Sequence, residues 1–413
     1  MTQSLTSFGA ELRRLRLAAG LTLVQFSERI HYSKGYLSKI ETGRQRPHVA
    51  LARQCDAVLA ADGRLAALVP AAGRSIRRSG DGPLGEPDRR TVLVAGAASL
   101  IGVGLGVSIG QGRPPWQATA VEAGRTLLDQ TRRFGQVTVP ASILPGLVAQ
   151  ANSLQAMAMH ASGADRTALL LLTSRYAEYA GWMFQEAGDL PGARWWTDHA
   201  AEFAAAAGDG DFGPHALVRR ALIALYAGDA TATIALARRA QENRTASDRV
   251  RGLAALREAQ GHALAGSEAS CRRSIDRARR LSEVAERSSP DGLGPTSLAD
   301  PVAITTAWCL VDLGRPEDAA PILDQEVARI EPRALRSKTR YGLRQALAYA
   351  SAGDADQACS LTTALWPGVC SVGSATFGGD LVALGRTLGR WREKPAVREV
   401  LPMITDALQS THA

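Results

Sequence analysis

The 413-residue chain is short of lysine and asparagine. Four lysines stand against 44 arginines, and the only asparagines are Asn152 and Asn243. Its five cysteines, Cys55, Cys271, Cys309, Cys359 and Cys370, form no C-x-x-C and are odd in number. That excludes a disulfide framework and a paired-thiolate zinc site, and the cysteines read as reduced core residues of a cytoplasmic protein. Seven histidines show no H-x-x-x-H spacing, so no metal is expected. There is no G-x-S-x-G and no Walker loop. With no catalytic constellation and no cofactor motif, the chain reads as a non-enzyme.

The net charge of +8 is unevenly placed. Residues 1–90 hold 13 Arg and 2 Lys against 8 acidic residues, which is +7 and leaves +1 for the remainder. A basic excess at one end points to a polyanion contact made by that end. Lys34 and Lys39, half of all the lysines, fall in one short stretch there.

That stretch, Leu21–Pro47, reads as two short helices joined by a tight turn and followed by a basic loop. Thr22 is placed to cap the first, with Gln25 at capping-box spacing. Val24, Phe26 and Ile30 supply its inward stripe. The turn runs through His31 and Tyr32, and Ser33 caps the second helix. There Leu37 and Ile40 face inward, while Lys34, Gly35 and Ser38 lie outward with Lys39 at the edge. An apolar-backed helix with a small basic outer face suits a DNA major groove. A preceding helix over 8–19 is expected to turn Phe8, Leu12 and Leu15 inward and Arg13, Arg14 and Arg16 outward, with Gly20 as its C-cap. A fourth helix follows Pro47, and Asp62 is placed to cap a fifth with Leu65 and Leu68 inward.

G-L-T at Gly20–Thr22, S-x-x-Y-L-S-K-I-E at Ser33–Glu41 and G-R-x-R-P at Gly43–Pro47 resemble the XRE family, the lambda-repressor/Cro-like helix-turn-helix domains. The resemblance covers about residues 5–69 and implies a five-helix DNA-binding domain that docks on double-stranded DNA as a homodimer. It implies that Lys34 holds the first base-reading position. By chemistry, Lys34 and Ser38 are candidates for base edges, whereas Tyr36, Lys39, Arg44 and Arg46 suit phosphates. Two residues depart from the pattern. Leu23 stands where the family usually places a phosphate-binding Gln, and Gly35 offers no side chain to a base. The Ala/Arg-rich composition resembles that of proteins from actinobacteria.

Residues 70–90 are rich in Pro, Gly and charge and read as a linker, whose Arg74, Arg77 and Arg78 are solvated or phosphate-facing. Residues 91–112 follow as an apolar segment, and 91–110 carry no charge. This is either a segment buried against the C-terminal domain, the preferred reading, or a membrane helix. Residues 116–413 read as helical throughout and repeat. Small turns centre on Gly188, Gly228, Gly266, Gly314 and Gly353, at spacings of 40, 38, 48 and 39 residues. The longest interval contains a Pro/Gly-rich insertion at 288–301. Helix, Gly turn, helix resembles degenerate tetratricopeptide repeats, although the period is longer than the usual ~34 residues. Such units stack into an α-solenoid with a concave groove. The aromatic cluster Tyr176, Tyr179, Trp182, Phe184, Trp195, Trp196 and Phe203 packs helices, with a ligand pocket as the alternative.

The fold class expected is therefore all-α, a helix-turn-helix domain followed by an α-solenoid. The function expected is a sequence-specific, dimeric transcription regulator whose solenoid dimerises or senses a peptide, small-molecule or protein ligand. The alternatives are a membrane-anchored regulator using residues 91–110, or an interaction scaffold with a weak DNA-binding head. The architecture resembles that of the peptide-pheromone receptors of Gram-positive bacteria. Those tend to clamp peptide backbone with asparagines, of which this chain has two.

Overall fold

The structure is a computed structural model that describes residues 7–30, 32–69, 116–285 and 297–410. The expected linker at 70–90, the apolar segment at 91–112, the N-terminal arm to residue 6 and most of the 288–301 insertion lie outside the described residues. Those residues form nineteen α-helices and no strand, as the sequence pattern requires.

Five helices make the N-terminal unit: α1 (Phe8–Ala18), α2 (Leu23–Arg29), α3 (Lys34–Glu41), α4 (Val49–Val58) and α5 (Arg64–Ala67). Their apolar stripes meet in one core built on Phe8, Leu12, Phe26, Ile30, Leu37, Ile40, Leu51, Cys55 and Leu65. Burying each large aliphatic side chain of this kind contributes about 1.5–3 kcal/mol. Four details differ from the sequence expectation. Leu68 is exposed rather than inward, because α5 ends at Ala67 and turns only Leu65 into the core. Val24 is exposed, because α2 turns only Phe26 and the following Ile30 into the core. Arg16 is buried instead of solvated; it donates to both carboxylate oxygens of Glu41, at 2.6 and 2.9 Å, and to the Leu21 carbonyl at 2.7 Å. Asp62 does not cap α5. Asp56 reaches across from α4 to accept from the backbone N–H groups of Leu65 and Ala66, at 2.9 and 2.8 Å.

The C-terminal part begins with α6 (Trp116–Gly135) and α7 (Leu144–His160). Five hairpins follow: α8 (Gly163–Glu186) with α9 (Leu190–Ala206), α10 (Phe212–Tyr226) with α11 (Ala230–Glu242), α12 (Asp248–Leu264) with α13 (Glu268–Ala285), α14 (Pro301–Asp312) with α15 (Pro316–Ala328), and α16 (Leu335–Ser351) with α17 (Ala355–Val372). The pair α18 (Gly378–Leu388) and α19 (Pro395–Ser410) closes the array. Each expected turn glycine joins its hairpin in the left-handed region, with φ from +77° to +94°. An L side chain there crowds the backbone, so glycine is the residue these turns need. Asp189, Asp229 and Asp354 then cap the second helices of their hairpins.

The first helices of successive hairpins pack on one another, α10 on α12, α12 on α14, α14 on α16 and α16 on α18. They form the inner layer of a superhelix, with the second helices outside. A long-range contact ties two distant parts of this layer together. Arg336 of α16 is buried and donates to Glu186 of α8 at 2.7 Å, to the Gly135 carbonyl at 2.8 Å and to the Thr138 carbonyl at 2.6 Å. Arg340 and Ser374 also bond to Glu186. The start of the array is thereby tied to its end. Of the aromatic cluster, Tyr176, Tyr179 and Trp196 are core, whereas Trp195 is exposed and stacks on His199 at 3.7 Å between ring centroids.

Candidate nucleic-acid interface

The second and third helices are set by local chemistry. The Thr22 hydroxyl accepts from Gln25 N–H at 3.2 Å, and the Gln25 side chain accepts from Thr22 N–H at 2.9 Å, completing the capping box. Ser33 accepts from Tyr36 N–H at 3.2 Å and starts α3. Leu37 and Ile40 anchor that helix in the core. Gly9 lets α1 cross the end of α3 closely: a Cβ there would sit 2.4 Å from the Ile40 carbonyl oxygen. The Arg16–Glu41 pair then fixes α3 to α1.

What remains of α3 faces outward. Lys34, Gly35, Ser38 and Lys39 are all exposed, as are Arg44 and Arg46 in the loop that follows. That loop is held against the end of α3. Arg44 and Gln45 N–H groups donate to the Lys39 carbonyl at 2.8 and 3.1 Å, and the Thr42 hydroxyl donates to the Ser38 carbonyl at 2.8 Å. Glu41, the nearest acid in sequence, is taken by Arg16. Among the described residues none of Lys34, Lys39, Arg44 and Arg46 forms an ion pair. The structure thus brings six of the seven expected contact residues to one open, basic surface.

Tyr36 is the seventh, and it is placed differently. It is half-buried at the flank of α3, stacked on Tyr32 with ring centroids 5.6 Å apart. The other face of this pair meets the C-terminal array. The Arg390 guanidinium lies 3.6 Å from the Tyr32 ring centroid and donates to its hydroxyl. His48 accepts from Leu51 N–H at Nδ1, 3.2 Å, so capping α4, and its Nε2 lies 3.3 Å from the Tyr32 hydroxyl. Burial, reinforced by Arg386 and Arg390, lowers its pKa to about 4.

A second part of the seam lies along α4. Arg53 donates to the Leu264 carbonyl at the end of α12, at 2.5 Å, and Gln54 donates to the Ser351 carbonyl at the end of α16, at 3.3 Å. These are carbonyls that a helix C-terminus leaves without an internal partner, and a cation suits them. Arg53 also approaches Asp312 at 4.0 Å. The turn glycines sit directly beneath. A Cβ on Gly314 would lie 2.8 Å from the Arg53 carbonyl oxygen, and one on Gly266 would lie 3.1 Å from Gly63 Cα. Sequence reading missed this seam. The signal available was weak: Arg53 and Gln54 look like ordinary surface residues of an amphipathic helix.

A capped helix pair, a buried back and an unpaired basic front define the N-terminal unit as a helix-turn-helix of the DNA-binding class. Residues 7–69 match the family model described as a helix-turn-helix domain. No curated protein matches the chain. Among the described residues, no helix is long and apolar enough to cross a membrane; residues 91–110 are not among them.

Proposed function

We propose that the protein is a sequence-specific transcription regulator of the XRE type, with a tetratricopeptide-like domain over 116–413 that senses a ligand and pairs two copies. The observation that carries this reading is the open basic surface of α3 and its loop, whose four cations have no acidic partner among the described residues, in a domain that matches a helix-turn-helix family model. Lys34 reads a guanine edge through O6 or N7 and Ser38 a neighbouring base, with the small Gly35 allowing close approach. Lys39, Arg44 and Arg46 hold phosphates and set register. Tyr36 supports this surface from its flank, braced by Tyr32. Two heads, related by a two-fold axis, would meet half-sites about 34 Å apart.

Footprinting of the full chain on DNA recovered from its host tests the assignment. Lys34→Ala combined with Ser38→Ala should abolish the specific footprint while leaving non-specific binding. Arg46→Ala should weaken binding to every sequence and reduce the salt slope by about 0.9, the value of one phosphate contact. Unchanged footprints in both variants would refute it. Binding that is salt-sensitive but indifferent to sequence would favour an interaction scaffold with a weak DNA-binding head.

A further inference from the structure

The inner layer of the array carries more positive charge than its own carboxylates neutralise. Arg219, Arg257, Arg336, Arg340 and Arg344 project from α10, α12 and α16. The carboxylates paired with them are few and shared. Arg336 and Arg340 both use Glu186. Arg344 pairs with Asp312 and Asp380, at 2.8 and 2.9 Å, and Asp312 is also approached by Arg53. Arg219 stands 3.9 Å from Glu178, which also faces His215 and Arg132.

Arg257 has nothing. It forms no ion pair and no hydrogen bond among the described residues, and its strongest electrostatic neighbours are Tyr341, Tyr226, Cys309 and Arg219, none of them a carboxylate. Burial lowers its pKa, yet guanidinium stays charged. The hydroxyls of Tyr226 and Tyr341 likewise make no hydrogen bond among the described residues. All three side chains are only half-buried, so part of each stays accessible. Trp308 stands between the two tyrosines, its ring centroid 6.3 Å from Tyr226 and 6.2 Å from Tyr341. Arg340 lies over the Tyr226 ring at 5.6 Å. A guanidinium without a carboxylate, beside two phenols without hydrogen-bond partners, is a convergent set of donors that an anion would complete.

We propose that the inner face of the array binds a small oxyanion-bearing ligand, a carboxylate or a phosphate, between Arg257, Tyr226 and Tyr341, with Arg219 and Arg340 flanking it. The guanidinium fork takes two ligand oxygens and the phenols supply further donors. This rests on the sensing role proposed above and names the ligand class for it.

The test uses the full chain without DNA, so its outcome is independent of whether the head reads a sequence. Thermal unfolding is followed in rising inorganic phosphate, pyrophosphate or citrate, with ionic strength held constant by sodium chloride. A saturable rise in Tm is expected with at least one of these anions, phosphates and carboxylates forming separate arms. Arg257→Gln should lose the response while its own Tm, without anion, is equal to or above that of the wild type, because an uncompensated cation has been removed. Tyr226→Phe with Tyr341→Phe should weaken the response. Lys34→Ala with Arg44→Ala and Arg46→Ala should keep it. No saturable rise with any of the three anions, an equal rise in Arg257→Gln, loss of the rise in the head variant, or a lower basal Tm in Arg257→Gln would each overturn the proposal.

Discussion

His48 couples two structures through one ring. Its Nδ1 lone pair caps α4, and its Nε2 faces Tyr32 beside Arg386 and Arg390. A proton on Nδ1 would remove the cap and add a third positive charge to two arginines. Burial is the main cause, with Arg386 and Arg390 adding to it, and together they lower the pKa from 6.5 to about 4 on folding. Because the folded value is the lower one, the stabilisation is complete above about pH 6.5 and is lost as pH falls towards 4. Glu178 and Glu258 do not interfere in this window. Burial pushes each up, but His215 and Arg219 pull Glu178 down to about 2, and His262, Arg238 and Gln241 do the same for Glu258. Thermal midpoints measured between pH 7 and pH 4.5 should fall for the wild type and fall less for His48→Gln, which keeps an acceptor but cannot titrate. Parallel curves would count against this account.

Among the elements, the hairpin turns separate two demands on glycine. Gly228 and Gly314 have nearly the same backbone, φ +77° and +80°. A Cβ on Gly228 meets nothing within 4 Å, whereas one on Gly314 meets the backbone of Arg53 and Gln54 at 2.8–2.9 Å. Gly228→Ala should cost only the left-handed conformation, about 1–2 kcal/mol. Gly314→Ala should pay that and also lift the N-terminal unit from its seat. Small-angle scattering should show a larger radius of gyration for Gly314→Ala alone. The turns themselves were legible in the sequence because a left-handed glycine between helical patterns is a local signal. So were the Thr22 and Ser33 caps. The second duty of Gly314 was not, since it depends on a partner some 260 residues away. Asp56 was hidden for a related reason: it caps the start of a different helix, so helix-start spacing pointed to Asp62. Arg16 was assigned to solvent because a helical wheel shows polarity but not the buried Glu41 opposite it.

On the scale of the whole molecule, the all-α class and the hairpin repeat were legible, but the closure of the superhelix was not. Its key pair, Glu186 and Arg336, lies 150 residues apart and each looks like one more charge on a polar helix face. Removing Arg336 would leave Glu186 buried with less than its full set of donors. Arg336→Ala should cost about 3–5 kcal/mol, the range for breaking a buried pair. It should also open the array, seen as faster amide exchange in α6, α8 and α16 together. Exchange confined to the mutated turn would mean that closure rests on other contacts. Asp312 stands where the two halves of the chain meet, between Arg344 of the inner layer and Arg53 of the N-terminal unit.

The seat for the N-terminal unit is made of Gly266, Gly314 and the end of α16, and this gives its docking a time as well as a place. The helix-turn-helix is complete by residue 69, but Ser351, which Gln54 grips, is translated about 280 residues later. At ~5–20 residues per second that is roughly 15–60 s. Throughout that interval every new molecule carries a finished N-terminal unit whose seat is still incomplete.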